Sequence, residues 1–268
     1  PSALLLPYDV PANEFMNHEG QKLSGSRHWS ILAKDFINRY DADALRYYLT
    51  VNMPESKDTD WDWDEFYHRN NDELVATWGN LANRVLSFTF KYWDGKVPDP
   101  GKLTPFDLDL VRTVDEGFKT VGEELSKVHL RGALAEAMRL ASEVNKYLDQ
   151  TAPWQQVKID KAVAGRAIYT ALRAIDSLKV MFAPFLPHTS EKLHQFMGYD
   201  GSLFGTQFVE NQKDDLGEHV VLRYDSTNSS GKWEPSTLKA GQELRQPQAL
   251  FRKLDVSIVE EERARMGA

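Results

Sequence analysis

Between residues 65 and 92 the apolar positions Phe66, Leu74, Trp78, Leu81, Val85, Phe88 and Tyr92 fall on one stripe at helical spacing, which predicts a long amphipathic helix. The same period returns at Leu108, Val111, Val114, Phe118, Val121 and Leu125, then at Leu134, Met138, Ala141, Val144 and Leu148. It returns once more at Ile168, Leu172, Ile175, Leu178 and Phe182. Pro153, Pro184 and Pro187 punctuate the ends, because proline lacks an N–H and clashes with the turn before it. A shorter helix is expected to open at Thr189 or Ser190, capped by the hydroxyl, and to stop near Gly198. Long helices with one apolar stripe each read as a bundle.

The flanks differ. Residues 10–17 carry apolar positions and run into the turn-like His18-Glu19-Gly20, which predicts one strand and a tight loop. One strand cannot make a sheet, so its partners are expected before Pro1, and the chain is expected to come from a longer protein. Two short helical patterns follow near 30–40 and 43–50, then the acidic stretch 58–64. That stretch reads as a helix entrance, with Asp62 and Asp64 facing the positive end of the dipole. After Tyr199 the chain mixes Gly, Asp, Asn and Ser with isolated large apolar residues. An extended tail pinned by Phe204, Phe208, Trp233, Leu250 and Phe251 is expected, closed by a short helix over 256–265. The fold expected is mainly α: an α/β stem-contact segment over 1–62, a helix bundle over 63–199 and a tail packing back over 200–268.

Composition narrows the chemistry. The 268 residues contain no cysteine, which removes disulfides, thiolate catalysis and cysteine-based zinc sites, and the seven histidines show no metal-ligand spacing, so no structural metal is expected. No apolar run approaches the roughly 20 residues needed to cross a bilayer, so a soluble, cytoplasmic protein is expected. A formal net charge of -8 argues against gripping nucleic acid with the whole surface and leaves only local contacts.

Three groups of residues carry candidate chemistry. In Lys22-Leu23-Ser24-Gly25-Ser26-Arg27 two cations, two hydroxyls and a permissive glycine lie directly after the predicted strand, a set suited to phosphate. Asn80 and Arg84, spaced i, i+4, share one helix face at the margin of the apolar stripe, where they could hydrogen-bond base edges or form a solvated polar border. Trp154, after Ala152-Pro153 at a helix end, suits either rim packing or a stacking platform for an unpaired base. Asn145 lies within the third stripe and is expected to bond backbone near the Pro153 turn and so orient Trp154. Lys127, Arg131, Arg139, Lys146, Arg166 and Arg173 read as a solvated charged face.

These segments resemble one family. Lys22 to Ser26 is similar to the Lys-Met-Ser-Lys-Ser signature of class I aminoacyl-tRNA synthetases, with Leu23 for the methionine and Gly25 where the second lysine usually sits. Val10-Pro11-Ala12-Asn13-Glu14-Phe15 resembles the strand leading into that loop in methionyl-tRNA synthetases. Asn80-Leu81-Ala82-Asn83-Arg84 resembles their Asn-Leu-x-x-Arg element, and Ala152-Pro153-Trp154 their Ala-Pro-Trp element. Leu250-Phe251-Arg252-Lys253-Leu254-Asp255 resembles a Leu-Phe-Pro-Arg-Ile-Glu stretch that packs near the end of the family's core enzyme.

The resemblance implies that Asn80, Arg84 and Trp154 read the CAU anticodon of methionine tRNA. It also implies that Lys22, Ser24, Ser26 and Arg27 hold ATP phosphates, and that the parent enzyme joins methionine to tRNA with ATP and magnesium. The family's other nucleotide signature, its methionine pocket and its zinc knuckle are not in these residues, so the chain alone is expected to be a monomer without cofactor or aminoacylation activity. The competing readings are a free-standing helical adaptor for tRNA or protein, and a piece of a cysteinyl, leucyl or isoleucyl synthetase.

Overall fold

The computed structural model describes residue 7, residues 9–215 and residues 217–266. Its first strand, β1 (Met16–His18), is shorter than the 10–17 expected, and the turn after it closes through paired backbone bonds between His18 and Gln21. Helices α1 (Ala33–Ile37) and α2 (Ala42–Val51) follow as the pattern indicated. The expectation of a strand without a partner in the chain is corrected: β1 pairs in parallel with β2 (Thr59–Trp61), Met16 opposite Thr59. The partner was hidden because it lies within the acidic stretch, whose aspartates obscure the alternation of Thr59 and Trp61. Asp58 and Asp60 accept the backbone N–H groups of Phe15 and Gly20 at 3.0 and 2.8 Å and so tie the two segments together. Asp62 is the helix entrance expected: it caps α3 (Trp63–His68) by accepting from the Glu65 N–H at 2.7 Å.

The long helix predicted over 65–92 is continuous but not uniform. Between α3 and α4 (Asn80–Trp93) lies an 11-residue π segment, Arg69–Gly79, in which the wider turns send the Asn80 N–H back five residues to the Val75 carbonyl. Such stretches are rare and normally single turns. Helices α5 (Pro105–Ser126), α6 (Leu130–Thr151) and α8 (Lys161–Phe182) complete the bundle, with the one-turn α7 (Pro153–Gln156) joining the last two. The start of α5 is a capping box between Thr104 and Asp107, which satisfies two helix N-terminal donors at once.

Helix α9 (Pro187–Phe196) begins earlier than Thr189, and no hydroxyl caps it. Asp43 of α2 does so instead, accepting from the Thr189 N–H at 2.7 Å and from its hydroxyl at 2.8 Å. A cap supplied by a residue so remote in sequence has no local signal.

One buried cluster runs from Phe36 through the bundle to Val259. Its upstream end is aromatic: Tyr48 meets Trp61 edge-on at 4.5 Å, and Phe66 stacks on Trp61 at 5.5 Å. Burial of such rings dominates local stability. The residues after Tyr199 are extended, as expected, but two stretches of them pair. Strands β3 (Thr206–Asp214) and β4 (Gly217–Asp225) form an antiparallel hairpin standing off the core, so Phe208, at 46 % exposure, anchors nothing. Leu250 and Phe251 are buried as anticipated, and α10 (Ser257–Arg265) packs against α3, with Arg263 bridging to Glu19 and Asp64.

Candidate nucleic-acid interface

Residues 22–27 form a compact exposed loop. Ser24 and Trp29 exchange backbone hydrogen bonds at 2.9 and 2.8 Å, closing a four-residue turn over 25–28, and the Trp29 indole anchors its base by donating to the His18 carbonyl at 2.9 Å. Within the turn the Ser24 and Ser26 hydroxyls lie 3.3 Å apart, and Arg27 folds back on the Lys22 carbonyl at 3.4 Å. The two hydroxyls therefore share one side of the loop, with Lys22 and Arg27 exposed around them. All four groups can donate hydrogen bonds, which is the chemistry an anion requires. A Cβ added at Gly25 would meet nothing, and its φ lies outside the left-handed region, so no backbone constraint demands glycine there.

The second group sits on the bundle. Arg84, in the first turns of α4, lays its guanidinium over the Trp154 ring at 4.6 Å from the centroid, and Phe88, one turn further on, meets the same indole edge-on at 5.1 Å. Cation–π attraction holds the guanidinium over the ring. One guanidinium nitrogen of Arg84 donates to the Asn145 side-chain oxygen at 3.4 Å, while its Nε is buried with no hydrogen-bond partner among the described residues. Trp154 is only partly buried, so the indole is not sealed into the core.

Its mounting is unusual. Ala152, the C-cap of α6, takes φ 40° and ψ 55°, a left-handed conformation that turns the chain sharply into Pro153 and aims the indole back at α4. For a residue with a Cβ this costs on the order of 1–3 kcal/mol, and the surrounding packing must hold it.

Asn145 does not bond backbone at the Pro153 turn, which corrects that expectation. Its amide donates to the Thr77 and Ala141 carbonyls, both at 3.3 Å, and its oxygen faces Arg84. The asparagine thus orients the tryptophan indirectly, by steering the arginine that covers it. Phe88 also escaped notice as a site residue, although its i, i+4 relation to Arg84 was a usable signal.

Asn80 is exposed and lies one turn before Arg84 on the same helix, beside a shallow hollow of ≈ 150 Å³ floored by Leu250 and Phe251 of the tail. The structure therefore joins Arg84 and Trp154 by direct contact and leaves Asn80 as their open neighbour. Among the described residues, no hydrogen bond, ion pair or ring contact connects this corner to the 22–27 loop. No helix among the described residues is long and apolar enough to cross a membrane.

Residues 2–86 match the family model described as tRNA synthetases class I (M), and residues 97–218 match the anticodon binding domain of methionyl tRNA ligase. The methionine–tRNA ligase of Chloroflexus aggregans is 52% identical over 98% of this chain, and that of Thermomicrobium roseum 49% identical over 99%. The chain spans 44% and 46% of these relatives' lengths. In fold it is similar to the free-state methionyl-tRNA synthetase of Mycobacterium tuberculosis, with a TM-score of 0.71 at 22% identity, covering 91% of this chain and 43% of that one. A second structure of the Mycobacterium enzyme, bound by methionyl-adenylate, gives 0.71 at 21% identity, covering 88% and 43%. Both matched models and the named relatives point to one family, and the chain belongs to the methionyl-tRNA synthetase family of class I tRNA synthetases.

Proposed function

We propose that this chain binds the anticodon loop of methionine tRNA, with Arg84 and Asn80 hydrogen-bonding base edges of CAU and Trp154 stacking on one of the bases. The observation that carries the reading is the Arg84–Trp154 contact at 4.6 Å. A guanidinium lying over a partly exposed indole presents a π-face and a fork of donors side by side, the two features that single-stranded bases are recognised by. The Arg84 Nε is buried without a hydrogen-bond partner among the described residues. Recognition through bases tolerates the net charge of -8, which binding through many phosphates would not.

In the whole protein, the 22–27 loop would hold the phosphates of ATP while methionine is activated with magnesium and passed to the tRNA. Its hydroxyl pair and flanking cations support that reading. A methionyl-tRNA synthetase of Mycobacterium tuberculosis is described in complex with methionyl-adenylate, in line with ATP use. We take the protein to act as a monomer in the cytoplasm, the chain alone binding tRNA without aminoacylating it.

Titration of the 268-residue chain with a short CAU stem-loop and with one of altered anticodon, at one near-physiological salt concentration, tests the reading. Preference for CAU by tenfold or more is expected, and equal affinities would reject it.

A further inference from the structure

The π segment ends one residue before the side chains assigned to base reading, and two parts of the chain grip it from opposite sides. On one side is the tail. Asn71, 7% exposed, donates to the Leu254 carbonyl at 3.0 Å and accepts the Leu254 N–H at 2.9 Å, which saturates that residue's backbone as a neighbouring strand would. Asn70, 4% exposed, donates to the Arg252 carbonyl at 3.0 Å. Phe251 lies where Gly79 has no side chain: a Cβ there would stand 2.9 Å from the ring. On the other side Asn145 holds the Thr77 carbonyl, and the Thr77 hydroxyl returns five residues to the Asp72 carbonyl at 3.0 Å.

Helical geometry turns this grip into orientation. An α-helix advances about 100° per residue, and π turns hold more residues than α turns do. If residues 69–79 relaxed to α geometry, every side chain after them would swing about the axis, Asn80 and Arg84 first. Arg84 would leave the Trp154 ring. The segment cannot relax while Asn71 and Phe251 stay engaged, because both are matched to particular tail atoms.

We propose that residues 250–254, seated on the π segment, set the direction in which Asn80 and Arg84 face the anticodon, with Asn71 and Phe251 as positioning residues. The proposal rests on the anticodon reading above, and its test separates the two. Affinities for the CAU and altered stem-loops are measured for the unmodified chain, Asn71→Ala, Phe251→Leu and Leu238→Ala, at a temperature where all four are folded. Leu238 is a buried tail anchor elsewhere, 4% exposed beside Tyr169, so its truncation destabilises without touching the π segment.

Asn71→Ala and Phe251→Leu should lose at least fivefold of the CAU preference with affinity for the altered loop unchanged, while Leu238→Ala keeps the preference. If Asn71→Ala does not fold, Asn70→Ala, which removes one bond to the tail and one to Asn71, takes its place with the same expectation. Retention of full preference by the tail-contact variants, or an equal loss in Leu238→Ala, would overturn the positioning role and leave the anticodon reading intact. No preference in the unmodified chain would overturn both.

Discussion

Lys179 donates to Nδ1 of His194 at 3.0 Å inside the bundle, and this one contact decides the protonation of the imidazole. A lysine has only donors, so Nδ1 must be the bare nitrogen and Nε2 must carry the proton. That proton points at the Ser230 hydroxyl, 2.8 Å away, which passes its own to the Ser202 carbonyl at 2.8 Å. The arrangement resembles a serine–histidine pair but runs in the wrong direction for nucleophile activation. Its consequence is structural: it fastens residues 230–236 of the tail to α8 and α9, with Asp176 bonding Lys179, Tyr199 and Ser236 at 2.6 to 2.7 Å.

The network makes stability depend on pH. Burial, and then the Lys179 ammonium, push His194 down to about 4, and burial lowers His18 as well. Both are therefore neutral when folded and take up protons more readily when unfolded. Stability from them is complete above about pH 6.5 and is lost as pH falls from there toward 4. The urea midpoint should fall steadily between pH 7 and 5, and His194→Gln should flatten that slope. A midpoint independent of pH over this range would contradict the lowered affinity of the buried His194 and His18 for protons.

Asp107 should be among the costliest single positions. It is 3% exposed, caps α5, accepts from the Tyr147 hydroxyl at 2.6 Å and pairs with Arg166 at 3.1 Å. Burial alone would raise its pKa, but Tyr147, the Thr104 groups and Arg166 together hold the carboxyl below its usual range. Asp107→Ala leaves a buried hydroxyl and a guanidinium without their partner, with an expected cost of about 3–5 kcal/mol in chemical denaturation.

The left-handed Ala152 predicts a gain. Glycine adopts that conformation without a Cβ penalty, so Ala152→Gly should raise unfolding free energy by roughly 0.5–1 kcal/mol. Equal or lower stability would mean that the turn into Pro153 is less strained than φ 40° implies.

At Gly25 the open surroundings and ordinary backbone admit a side chain. Gly25→Lys, which restores the signature's second lysine, should leave the unfolding free energy unchanged within about 0.5 kcal/mol. A larger loss would show that glycine serves the turn itself.

How legible these features were depended on whether their causes were local. The helical stripes from Phe66 to Phe182 and the cap at Asp62 were readable because period and capping chemistry lie within a few residues. Arg84 and Trp154 were readable only through motif likeness, since nothing in their spacing says that a guanidinium at position 84 covers an indole at 154. The β1–β2 pairing, the Asp43 cap on α9 and the grip of Asn71 on Leu254 each join segments far apart in sequence. The π segment has no compositional mark either, because what holds it is the tail and α6. The β3–β4 hairpin was missed because its strands, exposed on both faces, lack a clean apolar alternation.

The central claim is that Trp154 stacks on an anticodon base while Arg84 covers it, and the indole can be watched directly. With the tryptophan side chains labelled with 15N and the Trp154 signal assigned from Trp154→Phe, the CAU stem-loop should shift that resonance saturably, and an altered anticodon should leave it in place. A Trp154 resonance unmoved by the CAU loop, or moved equally by both, would contradict the account.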